Sequence, residues 1–92
     1  MFEELNWDDE RLEHIAMHGV AIVEVLEALE GVFWSPRWEG DKRRVYGQAQ
    51  SGRYLFVVVG RRRSGELWLV TARDMTAGER RLFLKKCKGA RR

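Results

Sequence analysis

At 92 residues, 45% of them hydrophobic and 34% charged, the chain has the composition of one small globular domain, and two domains of half this length would each lack a core. Its single cysteine, Cys87, excludes an internal disulfide and a cysteine-only zinc site and fits a reducing compartment. The longest apolar run, Tyr54 to Val59, is too short to cross a bilayer, and Met1-Phe-Glu-Glu-Leu is not the basic start of a signal peptide, so a cytoplasmic protein with no membrane association is expected.

Asn6-Trp7-Asp8-Asp9-Glu10 opens the first predicted helix: Asn6 or Asp8 caps the free amides, and the acids suit the positive end of the helix dipole. Leu12, Ile15 and Ala16 give it an apolar face, and His18-Gly19 stops it. A second helix follows, with Ile22, Val25, Leu26 and Leu29 at helical spacing, Glu24, Glu27 and Glu30 facing out, and Gly31 at its end. Residues 32–40 read as a short strand broken at Pro36 and then a loop. Three strands, near 43–50, 54–61 and 66–73, are joined by Ser51-Gly52 and Ser64-Gly65, which predicts an antiparallel meander with two-residue turns and an apolar, central middle strand. Thr76-Ala77-Gly78-Glu79 is a capping box, opening a last helix with Leu82 and Phe83 on its apolar edge and Arg80, Arg81, Lys85, Lys86 and Lys88 elsewhere. The expected fold is α+β: an acidic helical pair over 1–31, a three- to four-stranded antiparallel sheet over 32–73 and a basic helix over 76–88, in one domain spanning 1–92, with helices on one sheet face and part of an edge.

The net charge of +3 divides at Asp41. Residues 1–41 carry two basic and eleven acidic side chains, a net of −9, and residues 42–92 carry fifteen and three, a net of +12. Such asymmetry points either to an anionic partner for the basic part, nucleic acid or acidic protein, or to two halves that neutralise each other.

Among side chains that carry chemistry, His14 and His18 lie at i and i+4 but lack the glutamate of a metalloprotease motif or an evident third ligand, and two of the three serines sit in predicted turns. No glycine-rich phosphate loop is present, and neither metal nor cofactor is expected. The arginines remain. Two-residue turns would place Arg44, Tyr46, Leu55, Val57, Val59, Arg61, Trp68 and Val70 on one sheet face and Val45, Tyr54, Phe56, Val58, Leu69, Thr71 and Arg73 on the other; a one-residue slip would reassign them. Arg73, at a strand end just before the cap of a basic helix, either holds a phosphate or pairs with Asp74, Glu79 or the acidic helices. Arg61-Arg62-Arg63 reads as a solvated turn, and Trp34 and Trp38 as covering aromatics or as platforms for an unpaired base.

Several segments in order resemble the BrnT toxins of bacterial type II toxin–antitoxin pairs: Trp7-Asp8; Ile15-Ala16-Met17-His18-Gly19-Val20; Gly47; Ser51-Gly52-Arg53-Tyr54-Leu55-Phe56-Val57-Val58; and Val70-Thr71-Ala72-Arg73-Asp74-Met75-Thr76 with Glu79-Arg80-Arg81. The resemblance implies a RelE-like fold and a metal-independent endoribonuclease that acts on RNA. It also implies a cognate, DNA-binding, BrnA-like antitoxin that silences the enzyme and can bridge copies into an oligomer. In that chemistry the RNA 2′-hydroxyl attacks the adjacent phosphate, which requires a proton acceptor, a proton donor and cations where charge builds on phosphorus. By the resemblance Arg73, Arg53 and Arg80 are the candidate catalytic residues, with His18 as an acid or base; Arg44, Arg61, Arg81 and Lys85 of the basic half are expected to bind RNA. Met17 stands where many members carry a lysine and Phe83 where the last helix often carries a tyrosine, and each change removes a proton-exchanging group. A non-catalytic interaction module of the same fold, and a simple electrostatic RNA- or DNA-binding protein, are the alternatives.

Overall fold

The structure, a computed structural model, describes residues 4–87. Lys88, assigned from sequence to the last helix, and the tail 89–92 lie outside the described residues. The elements run β1 (Leu5–Asn6), α1 (Asp9–Ala16), α2 (Ile22–Glu30), β2 (Phe33–Trp34), β3 (Lys42–Gln48), β4 (Tyr54–Arg61), β5 (Leu67–Asp74) and α3 (Ala77–Lys86). Local signals act where the sequence places them. Asp8 caps α1 by accepting from the Arg11 amide at 2.9 Å, and Gly19 closes the following turn at φ +72°. At α3 the capping box is complete: Thr76 Oγ1 accepts from the Glu79 amide at 3.1 Å, and Glu79 Oε1 accepts from the Thr76 amide at 2.9 Å.

The fold is α+β, as expected, with β4 central, but the sheet has five strands in the order β1-β5-β4-β3-β2 and is mixed rather than purely antiparallel. β1 pairs parallel with β5 through Leu5–Leu67 and Asn6–Trp68. Helices cover both faces, not one. Ile15 of α1 and Val25, Ala28 and Leu29 of α2 pack on Val45, Leu55, Val57, Val59, Leu69 and Ala72, whereas Phe83 and the adjacent Cys87 pack on Tyr46, Phe56 and Met75 across the sheet. A helix needs one buried stripe, and on α3 the stripe runs through Phe83 and Cys87; Leu82 is exposed. Gly47 lets α2 lie directly on β3, since a Cβ there would come within 2.7 Å of the Ala28 carbonyl oxygen.

Both hairpins differ from the expected two-residue turns. Each connection has three residues, closed by a Gly52 amide to Ala49 carbonyl bond (2.9 Å) and a Gly65 amide to Arg62 carbonyl bond (2.8 Å), with the glycines at φ +97° and +92°. A three-residue hairpin places its left-handed glycine last, so glycine serves a longer loop than the sequence suggested. The extra residue moves β3 by one: Val45 pairs with Val57 and Tyr46 with Phe56. Arg44 and Tyr46 therefore join the face of Phe56 and Arg73, and Val45 turns to the α2 side. On β5 a bulge between Val58 and Val59 undoes the slip, so Phe56 still faces Arg73, while Leu69 enters the core and Trp68 changes faces.

Candidate nucleic-acid interface

One rung of the sheet on the α3 side organises the site. Trp34 pairs with Tyr46, Tyr46 with Phe56 and Phe56 with Arg73, so four strands align three aromatic rings and a guanidinium. Trp34 stacks on Tyr46 with centroids 5.3 Å apart, Tyr46 and Phe56 lie at 5.2 Å, and the Arg73 guanidinium carbon sits 4.2 Å from the Phe56 ring centre. Cross-strand neighbours of this kind support one another, and a cation over a ring face is fixed in direction.

Arg73 is also held by α3. Its Nη1 and Nη2 donate to Glu79 Oε1 and Oε2 at 2.7 and 3.0 Å, and Nη1 donates to the Asp74 carbonyl at 2.9 Å. The hydrogen bonds from Arg73, helped by the Thr76 amide, hold the Glu79 carboxyl below the usual carboxylate range, and the bond to Glu79 raises Arg73 in turn, with a smaller contribution from Tyr46. An ionised, capping Glu79 is an acceptor for Arg73 and a poor general base. Arg80 lies beside this arrangement, its guanidinium carbon 4.6 Å from the Tyr54 ring centre, and Lys86 Nζ is 5.5 Å from that of Trp34.

The other sequence-derived candidates are dispersed. Arg53 works on the α2 side of the sheet: Nε and Nη2 donate to Asp74 at 2.7 and 3.1 Å, and Nη1 donates to the Gly19 carbonyl at 2.7 Å and to Glu24 at 3.0 Å. All three nitrogens are engaged, so Arg53 ties the α1–α2 turn and the start of α2 to the end of β5. Asp74 is held below its usual range mainly by the hydrogen bond from Arg53, whose own affinity for its proton is raised in return. His18 is exposed in the turn beside Gly19. Its ring meets His14 edge to face at 5.4 Å, and His14 Nε2 lies 3.0 Å from Thr71 Oγ1, two residues from Arg73. Of the two imidazoles, His14 is the one tied to β5. Arg44 is exposed and pairs with Glu39 at 2.9 Å, Arg81 and Lys85 lie exposed one turn apart on α3, and Arg61 stands at the far end of β4.

From sequence Tyr46 and Tyr54 are only assigned to sheet faces, and His14 is weighed with His18 as a metal ligand and not as part of this site. The slip in β3 hid Tyr46, which alternation had placed on the wrong face, and Tyr54 and His14 are recognisable only by what they touch.

Among solved structures, the chain is similar to the ribonuclease toxin BrnT of Brucella abortus, with a TM-score of 0.61 and 17% identity over 79% of this chain and 96% of that one. The fold is that of BrnT. No family model and no curated protein matches the sequence. The BrnT-like fold thus agrees with the resemblance drawn from short segments. Among the described residues no helix is long and apolar enough to cross a membrane.

Proposed function

We propose that this chain is a toxin-like, metal-independent endoribonuclease, acting as one domain over residues 1–92 in the bacterial cytoplasm and silenced by a cognate DNA-binding antitoxin. The observation that carries this reading is Arg73, partly exposed and fixed between an aromatic rung and Glu79 of α3, in a fold shared with a ribonuclease toxin. In the reaction the RNA 2′-oxygen bonds to the adjacent phosphorus and the bond from phosphorus to the 5′-oxygen breaks. The 2′-hydroxyl proton passes to an acceptor, and the leaving oxygen takes one from a donor. Arg73 meets the charge that builds on phosphorus: its two Nη groups, now bidentate on the Glu79 carboxylate, match the geometry of two phosphate oxygens. Glu79 then aligns the guanidinium until substrate competes for it. Arg80 and Arg44 extend the cationic surface around Arg73, Arg81 and Lys85 attract the backbone from α3, and Arg53 acts as a positioning residue by holding the end of β5. His14 and His18 supply imidazoles for proton transfer.

Inducing the protein in bacteria should arrest growth with loss of cellular RNA, Arg73→Ala should relieve the arrest, and a small DNA-binding protein should co-purify from the native cell. Harmless expression with intact RNA rejects the reading. A second reading, a non-catalytic interaction module, is favoured by two features. Arg53 and Arg73 are both in ion pairs, and Phe83, in place of a phenol, is fully buried. It predicts tight partner binding without RNA cleavage.

A further inference from the structure

The tip of the β4–β5 hairpin carries three consecutive arginines whose side chains take no part in the site around Arg73. Arg61, Arg62 and Arg63 line, with Gly40 and Asp41, an open pocket of about 510 Å³. Where Arg44, Arg53 and Arg73 are each paired with a carboxylate, none of these three lies in an ion pair among the described residues. The nearby acids are turned elsewhere: Asp41 Oδ1 lies 3.3 Å from Lys42 Nζ, and Glu66 Oε2 accepts from Trp68 Nε1 at 3.4 Å. Two of the guanidiniums are nevertheless fixed. Arg61 lies over Trp38 at 4.4 Å from the ring centre and Arg62 over Trp68 at 4.0 Å. A guanidinium seated on an indole loses little further freedom on binding. Its edge still presents N–H donors to a phosphate, and its outer face is a plane on which a base can stack.

We infer that this hairpin tip is a second nucleic-acid contact, in which Arg62 and Arg63 hold the phosphodiester backbone of a single strand, the Arg62–Trp68 stack receives a base, and Arg61, over Trp38 on the opposite sheet face, adds charge at the end of the strand. The chemistry favours a nucleic acid over an acidic peptide because the guanidiniums sit over indole rings, so that aromatic surface for a base lies beside the charge. Position agrees. Trp68 pairs with Gly60 on the same sheet face as Arg73, and the five residue steps between them on β5 span about 17 Å at ~3.4 Å per step, so one extended strand laid along β5 reaches both. The inference takes its ligand class from the RNA reading above but does not depend on cleavage.

The test is anisotropy of a labelled single-stranded DNA decamer, which lacks the 2′-hydroxyl and cannot be cut by this chemistry, across a salt series. Replacing the three arginines together (R61Q, R62Q and R63Q) should weaken binding at least tenfold at low salt. It should also flatten the slope of log affinity against log salt by about 1.4–2.1, two or three phosphate contacts at ~0.7 each on single strands. All three side chains are exposed, so the variant should keep the wild-type circular dichroism. Arg62→Lys keeps the charge and loses the plane; it should weaken binding with the salt slope unchanged. A triple variant with wild-type affinity and slope overturns the inference, as does Arg62→Lys binding like wild type. Binding that depends on the tip in a protein that leaves RNA intact upholds the inference and rejects the ribonuclease reading; RNA cleavage with a triple variant that binds like wild type does the reverse.

Discussion

Glu79→Gln removes one charge from the bidentate pair between Arg73 and Glu79 while changing little else. Glutamine is isosteric, and its carbonyl can still accept from the Thr76 amide, so the cap of α3 survives in part. What is lost is the bidentate ion pair to Arg73, with bonds of 2.7 and 3.0 Å. Hydrogen bonds to charged groups contribute about 1.5–3 kcal/mol each when buried. The Glu79 and Arg73 side chains are 21% and 36% exposed, and solvent reduces such a pair, so a total cost of about 1–2 kcal/mol is expected. For a domain of this size that lowers Tm by roughly 5–12 °C. The pH dependence identifies the cause. Because the folded-state pKa of Glu79 is depressed, its contribution is complete above the unfolded value of about 4.3 and disappears as pH falls through the folded value. Thermal melts of wild type and variant followed by circular dichroism should differ by the full amount at pH 7 and converge as the pH is lowered below that range. A difference that persists undiminished into acid would refute the reasoning, since the lost stability would then lie in packing and not in the charge pair.

Arg53→Ala should destabilise by about 1–3 kcal/mol in urea denaturation, because it takes the guanidinium away from Asp74, the Gly19 carbonyl and Glu24, which keeps only the Ala21 amide; Arg63→Ala, an equal loss of charge at an exposed turn, should stay within about 0.5 kcal/mol. Gly47→Val should cost at least about 1–3 kcal/mol, since the new Cβ meets the Ala28 carbonyl oxygen at 2.7 Å and α2 must lift from β3; a variant melting like wild type would contradict that contact. Phe83→Ala empties a fully buried site between α3 and the sheet and should cost about 3–5 kcal/mol by the same measurement.

Sequence reading succeeded where structure is decided locally. The cap at Asp8, the stop at Gly19 and the Thr76–Glu79 box are each settled within four residues, and each formed as expected. Register is different. A Ser-Gly pair fits both a two-residue and a three-residue hairpin, and choosing the shorter one placed Arg44 and Tyr46 on the wrong face. The second hairpin carries the same slip, which misplaces Trp68 and Leu69 next to the turn; the bulge in β5, which has no sequence signature, cancels it before Arg73. β1 was missed because two residues carry no periodicity and its parallel partner is some sixty residues away. Around the site, the place of Arg73 before the helix cap made its pairing with Glu79 one of the readings open from sequence. The division of labour between Arg73, on the aromatic rung, and Arg53, clasping the other side of the sheet, was not legible, because it depends on which side of β4 and β5 each guanidinium leaves. The charge division of the sequence is expressed in part inside the molecule, where Arg53 of the basic part meets Glu24 of the acidic part, and in part on the surface, where the hairpin arginines remain available.

The proposed role of Arg73 is to promote cleavage of RNA through the RNA's own 2′-hydroxyl. Its most direct test incubates the purified protein, in the presence of a chelator, with a labelled RNA oligonucleotide and with the same sequence as DNA. Cleavage of the RNA alone, leaving a 2′,3′-cyclic phosphate and slowed at least about 100-fold by Arg73→Ala, is the predicted result. An RNA left intact, or cut equally fast by Arg73→Ala, would contradict the account.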